Sequence, residues 1–257
     1  MQEHNDKGPE NKVVLITGAL SDIGRASATA FAKAGYCVAL NYRHHEEQGR
    51  KFAGWLVQAG HAPQAAGFLG DIRMRKEVVD LFDQVCQAFG KVDVLVNNAG
   101  INQDNRFLSM SDEEWDVVID TILKGTFMCS QEYARRYSGD SGCIINIGAV
   151  TALKGRANGA NYCSARAGVL ALTKCMAQEL APKIRVNTVT PGRIDTEELR
   201  QRYHLEDAQN SSRLANEVPL KRLGSPQEVA DMILYLATQA NYTTGQNYLV
   251  DGGLYMR

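Results

Sequence analysis

Val13-Val14-Leu15-Ile16-Thr17-Gly18-Ala19-Leu20-Ser21-Asp22-Ile23-Gly24 decides the fold. Its first four residues are apolar and partly β-branched, a run of the length and composition of a buried strand. A turn bracketed by Gly18 and Gly24 follows, and then an apolar helix through Ala26, Ala30 and Phe31. A strand that feeds a glycine-bearing turn and a helix N-terminus brings free backbone N–H groups and positive potential to one place, the arrangement that cradles a pyrophosphate. The same turn can merely pack a helix on a sheet, so the rest of the chain has to choose between the two.

Working outward, short runs rich in Val, Ile and Leu recur at 38–40, 92–96, 143–147 and 184–189. They read as parallel strands buried on both faces. Segments at helical period separate them: Val78, Phe82, Val85 and Phe89 are spaced four, three and four, with Gly90 as the stop. Gly35, Gly60 and Gly142 are expected to punctuate the chain in the same way. Strand alternating with helix, joined by right-handed crossovers, gives an α/β fold with a single doubly wound parallel sheet and helices on both faces. Residues 1–11, polar and charged, are expected to form a flexible tail, and 12–257 one Rossmann-like domain. The polar segment 193–217 follows a strand, where an open α/β sheet places its ligand crevice, and reads either as a substrate lid or as a solvated surface helix.

Composition narrows the function. With 28 basic and 29 acidic residues the net charge is −1, which leaves no field to recruit nucleic acid or anionic lipid. No stretch approaches the length of a membrane span, and the N-terminus carries no apolar block, so a cytoplasmic protein is expected. Six scattered cysteines without a C-x-x-C pair read as reduced thiols, and the five histidines form no metal-ligating or triad spacing, so no metal is expected.

Further motifs follow in order: Asp71-Ile72, Asn97-Asn98-Ala99-Gly100, Tyr162-Cys163-Ser164-Ala165-Arg166, Pro191-Gly192, Leu223-Gly224-Ser225-Pro226 and Asp251-Gly252-Gly253. On these the chain resembles the short-chain dehydrogenase/reductase family, in particular its 3-oxoacyl carrier-protein reductase-like members, over nearly its whole length. The resemblance implies a nicotinamide dinucleotide held by Gly18, Ser21, Asp22, Ile23 and Gly24 at the phosphates. It assigns Asn41, Arg43, Asp71 and Ile72 to the adenosine end, Asn98, Ala99 and Gly100 along the site, and Tyr162, Arg166, Pro191, Gly192, Ile194 and Thr196 to the nicotinamide end. Asp22 stands where relatives carry a glycine; it either crowds a phosphate or caps the helix, and the cap is the expected role. Asn41-Tyr42-Arg43 replaces the acidic end of the second strand, and Arg43 suits a ribose phosphate, so NADP(H) is favoured over NAD(H). Relatives pair the helices corresponding to 111–136 and 160–180, implying a homotetramer or homodimer. The apolar Val117, Val118, Phe127, Leu170 and Leu172 agree with a second covered face.

The catalytic set departs from the family pattern. Tyr162 fits the general acid/base, but Arg166 stands where the resemblance calls for Lys, Ala149 for Ser and Ile122 for Asn. Arg166, four residues after Tyr162 on one helical face, supplies charge but does not exchange a proton. Ala149 offers no donor to a developing oxyanion and Ile122 holds no water; both are expected to line the substrate pocket. The resulting reading is an oxidoreductase with Tyr162 and Arg166 as catalytic residues, acting on a small-molecule carbonyl or an imine or iminium that needs little acid assistance. The alternatives are a nucleotide-binding protein with weak or no turnover and a non-redox enzyme reusing the pocket.

Overall fold

The computed structural model describes residues 12–256, so the tail expected at 1–11 lies outside it. The chain opens with β1 (Val13–Ile16), α1 (Asp22–Lys33), β2 (Cys37–Tyr42), α2 (Glu46–Gln58), β3 (Ala65–Leu69), α3 (Arg75–Phe89) and β4 (Val94–Asn97). It continues through α4 (Asp112–Ile119), one π-helical turn (Asp120–Lys124), α5 (Gly125–Arg136), β5 (Gly142–Ile147), α6 (Thr151–Lys154) and α7 (Ala160–Leu180). Last come β6 (Ile184–Pro191), α8 (Glu197–Tyr203), α9 (Ala208–Asn216), α10 (Pro226–Thr238) and β7 (Asn247–Val250).

The strands form one sheet in the order β3-β2-β1-β4-β5-β6-β7, parallel throughout. Alternation along β1 explains its uninterrupted apolar run. Val14 and Ile16 point into a core shared with Phe31, Leu40, Phe52 and Ile233, whereas Leu15 points into a second core with Val78, Phe82, Leu95 and Tyr133. Helices α1, α2 and α10 therefore cover one face, and α3, α5 and α7 the other.

From β1 the chain steps outward to β3 and then returns past β1 to β4, so Ile16 pairs with Leu40 on one side and Val96 on the other. The loops leaving β1 and β4 diverge at this reversal and open the crevice in which such sheets bind ligands.

Several boundaries follow from local chemistry. Gly90 ends α3 at φ +82°, a left-handed conformation that glycine adopts at least cost. Gly142 has a different role: it opens β5, where a Cβ would lie 2.8 Å from the Tyr133 hydroxyl, so it makes room for an aromatic instead of stopping a helix. The segment 193–217 folds into α8 and α9. Thr196 caps α8 through Leu199 N, and Asp207 caps α9 through Gln209 N.

Candidate active site

At the end of β1, Gly18 turns the chain at φ +60°, and a Cβ there would sit 2.8 Å from Ala99 Cα. Glycine is thus required twice, for the backbone angle and for the close approach of the β4 loop. Asn98 fixes that approach: its Nδ2 donates to the carbonyls of Thr17 and Gly18, both at 2.9 Å, and to Ser21 Oγ at 3.1 Å. The cap of α1 is Ser21, whose Oγ accepts from Gly24 N at 3.2 Å.

Asp22 is therefore not the cap expected of it. It occupies the first turn, and its Oδ2 accepts instead from Glu197 N, 2.8 Å away at the start of α8. The carboxylate is turned toward the 193–217 segment. Gly24 also departs from expectation: it is buried, does not line the cleft, and leaves the space in which α1 packs on the Gly18 carbonyl, 2.5 Å from a Cβ position.

A cleft of about 680 Å³ runs from this turn along the C-terminal ends of the strands. Its walls include Gly18, Ser21, Asp22, Ile23, Asn98, Ala99 and Gly100. At one end stand Asn41, Arg43, His44, His45, Asp71 and Ile72. The Asn41 amide is spent within the sheet edge, donating to the carbonyls of Phe68 (3.4 Å) and Gly70 (3.1 Å). Arg43 is exposed, and its Nε donates to His44 Nε2 at 2.8 Å. Burial works to raise the Asp71 carboxyl, but the hydrogen bonds and charge of Arg73, with a contribution from Arg43, outweigh it and hold Asp71 below the usual carboxylate range.

The other end holds Tyr162, Arg166, Ala149, Pro191, Gly192, Ile194 and Thr196. Asn161 sets the start of α7: wholly buried, it donates to the carbonyls of Gln103 and Glu114 and accepts from Tyr162 N. Tyr162 is thereby tied to the β4 loop and α4. Arg166 is 5% exposed, and its Nη1 donates to the Ile147 carbonyl at 2.6 Å. Its Nε is buried without a partner. Its guanidinium lies 5.4 Å from the centre of the Tyr162 ring, within cation–π range.

The family described as Enoyl-(Acyl carrier protein) reductase matches residues 18–255. The chain is 39% identical over 249 residues to a 3-oxoacyl-[acyl-carrier-protein] reductase of Staphylococcus epidermidis, covering 96% of this chain and all of the relative. It is 37% identical over 258 residues to the enzyme of the same name from Vibrio cholerae, covering 96% and 98% of the two chains. Among solved structures, a double mutant of a Serratia marcescens short-chain dehydrogenase/reductase superposes with TM-score 0.88 at 29% identity, over 96% of this chain and 99% of the other. The chain belongs to the short-chain dehydrogenase/reductase family. Within it, this is a 3-oxoacyl carrier-protein reductase-like member, and its named relatives are oxidoreductases.

Two of the positions at which the resemblance calls for another residue behave differently in space. Ala149 is on the cleft wall, as expected. Ile122 is not: it sits in the π-helical turn, fully buried with Val118, Ala165 and Val169 and packed against Tyr162, so it supports the site from beneath and does not line it. The hydroxyl nearest to Ala149 along the chain is Thr151, on the same wall, whose Oγ1 is buried without a partner.

Sequence reasoning missed a cluster of charge at this end. Arg156 Nη2 donates to Asp104 Oδ1 (2.6 Å) and Asn102 Oδ1 (3.2 Å), and its guanidinium lies 5.4 Å from the Tyr162 ring centre. Arg202 pairs with Asp104 (3.3 Å) and Glu198 (2.5 Å), and Asn102 Nδ2 donates to Glu198 Oε1. Desolvation raises the Asp104 and Glu198 carboxyls above their ordinary values, against the pull of Arg156. Arg156 six residues before Tyr162 was the available signal. Its partners come from two other loops and have no local motif.

Proposed function

We infer that this protein is an NADP(H)-dependent oxidoreductase that transfers hydride between the cofactor and a carbonyl, imine or iminium carbon. The observation that carries the reading is one continuous cleft joining the Gly18 turn to Tyr162, with the buried Arg166 guanidinium beside the ring. The residues present fit the dinucleotide. Gly18 leaves the turn open to a phosphate, and the N–H groups of Asp22 and Ile23 at the head of α1 find no partner among the described residues. The basic rim of Arg43, His44 and His45 supports a ribose phosphate, hence NADP(H). Asp71 and Ile72 suit the adenosine end, and Gly100, Pro191, Gly192, Ile194 and Thr196 the nicotinamide end.

When bound, the nicotinamide supplies the hydride. Tyr162 orients the acceptor and hydrogen-bonds its heteroatom, while Arg166 places a fixed positive charge beside the ring without relaying a proton, because a guanidinium does not give up its proton in a protein. Losing one oxyanion donor costs about 2.7–4 kcal/mol of barrier, and Ala149 supplies none. An iminium carbon takes hydride with no proton delivered to oxygen, so the altered set supports imine or iminium reduction over that of a simple ketone. The segment 193–217 serves as the substrate lid: Arg193, Leu199, Arg202 and Tyr203 line the cleft and Asp22 holds the start of α8.

Incubation with NADPH and a panel of ketones and cyclic imines, with product analysis, tests the reading. Imine turnover should exceed ketone turnover about a hundredfold, the scale of one missing donor. Absence of turnover with every compound, NADPH binding intact, would overturn it in favour of a nucleotide-binding or non-redox protein.

The six free cysteines suit the cytoplasm. Trp115 and Phe127, 38% and 40% exposed on α4 and α5, with half-buried Val117 on α4 and Leu170 and Leu172 on α7, suit a homo-oligomer, whereas Val118 is consumed within the chain. A monomer by light scattering at micromolar concentration would contradict that assembly.

A further inference from the structure

The substrate end of the cleft is unusual in its charge. Lys154, Arg156, Arg166 and Arg202 stand on its wall, answered there only by Glu198 and, behind Arg156 and Arg202, by Asp104. Among the described residues no carboxylate pairs with Arg166, whose one protein partner is the Ile147 carbonyl. Arg156 is held by Asp104 and Asn102 through Nη2 alone; its Nε is buried without a partner, and its Nη1 makes no hydrogen bond to a described residue. Two oriented guanidiniums thus lie 5.4 Å from the Tyr162 ring centre, each with donors unspent.

The chemistry of a complementary ligand follows. A plain acyl chain laid here would take these charges out of water and return nothing. A bare cation would meet uncompensated positive charge, and the nearest carboxylate on the wall, Glu198, is already engaged by Arg202 at 2.5 Å. A carboxylate restores the balance and accepts from the fork of an arginine.

We propose that this end of the cleft recognises a carboxylate on the substrate and that Arg156 is the residue that selects it. The substrate class is then a small oxo acid or cyclic imino acid, with the carbonyl or imine carbon beside Tyr162 and the carboxylate at Arg156. An oxo acid takes hydride from NADPH on its carbonyl carbon and a proton on its oxygen, giving a hydroxy acid. An imino acid protonated on nitrogen takes hydride alone, giving an amino acid. The carboxylate is unchanged in either case. The inference deepens the redox reading and rests on it for the reacting carbon; recognition of the anion is measurable without turnover.

The test uses the full chain saturated with NADP⁺, titrated calorimetrically with 2-oxo-4-phenylbutanoate and with its ethyl ester. The acid should bind at least tenfold more tightly than the ester, and Arg156→Gln should erase that difference while leaving NADP⁺ affinity unchanged. An ester that binds as tightly as the acid, or a preference that survives Arg156→Gln, overturns the proposal. If Arg156→Gln also loses NADP⁺ binding, Arg156→Lys decides: a preference reduced at least threefold supports the proposal, and an unchanged one overturns it. Binding of the acid that depends on Arg156, with no NADPH oxidation by it or by any of the ketones and cyclic imines, would sink the redox reading and leave the anion site standing. Reduction of the acid with the same KM in Arg156→Gln would do the reverse.

Discussion

Ile122→Asn, the residue that the family resemblance implies, should destabilise the protein and fail to create a catalytic group. Ile122 is fully buried among Val118, Ala165 and Val169, so the exchange forfeits about 1.5–3 kcal/mol of apolar burial. It also buries an amide, at about 1–3 kcal/mol if unpaired. Some return is available if Arg166 meets the new amide: a Cβ placed at Gly100 would lie 2.3 Å from Arg166 Nη2 and 3.6 Å from Ile122 Cγ1, so the guanidinium and the substituted side chain are neighbours across Gly100. Such a charged hydrogen bond contributes about 1.5–3 kcal/mol. The net loss is about 1–3 kcal/mol, which in a domain of this size lowers Tm by about 3–9 °C. Ala149→Ser, at a cleft-wall position 8% exposed, should move Tm by no more than about 2 °C, because its hydroxyl can face the cleft. Differential scanning calorimetry on the two single variants measures both. Equal, small shifts would refute the placement of Ile122 in the core and return it to the cleft wall.

Gly18→Ala should weaken NADPH binding at least tenfold by titration, since the new Cβ meets Ala99 Cα at 2.8 Å in a left-handed backbone that costs a further ~1–3 kcal/mol. Arg43→Asp should shift nucleotide preference toward NADH by at least tenfold, measured as the ratio of the two dissociation constants; an unchanged ratio would show that Arg43 is only a solvated rim residue. Glu228, hydrogen-bonded by Arg222 and by Ser225 at the head of α10, is lowered to about 2, so its contribution to stability is complete above the ordinary glutamate range and is lost as pH falls toward 2. Glu228→Gln should therefore flatten the acid limb of the stability profile below about pH 4.5 and lower stability at neutral pH.

What was legible in the sequence tracks burial. Strands β1, β2, β4, β5 and β6 are covered on both faces, and their apolar runs announce them. The edge strands β3, Ala-Ala-Gly-Phe-Leu, and β7, Asn-Tyr-Leu-Val, are mostly half-buried and lack that signal. The cleft residues could be named because Gly18, Asn98, Tyr162 and Arg166 lie in contiguous motifs. Direction was harder to read. Register puts Ile122 at the family's Asn position but does not tell which way a side chain leaves a π-helical turn. Ser21 and Asp22 are both good caps by residue type, and the choice between them depended on Glu197 N, which lies 175 residues away along the chain. The Arg156 cluster draws on residues 102, 104, 156, 198 and 202, and no spacing rule spans them.

That bond between Asp22 and Glu197 makes two segments 175 residues apart thermodynamic partners. It joins the first turn of α1 to the first amide of α8, so the shape of the Gly18 turn and the position of the 193–217 segment share one interaction. A solvent-exposed hydrogen bond of this kind contributes about 0.5–1.5 kcal/mol, enough to change the ratio of docked to undocked segment about two- to tenfold. By reciprocity, a ligand that favours the docked segment stabilises the turn by the same free energy with which the ordered turn favours docking. A glycine, which the family resemblance implies at this position, has no side chain to make that link, so the coupling depends on the Asp22 carboxylate.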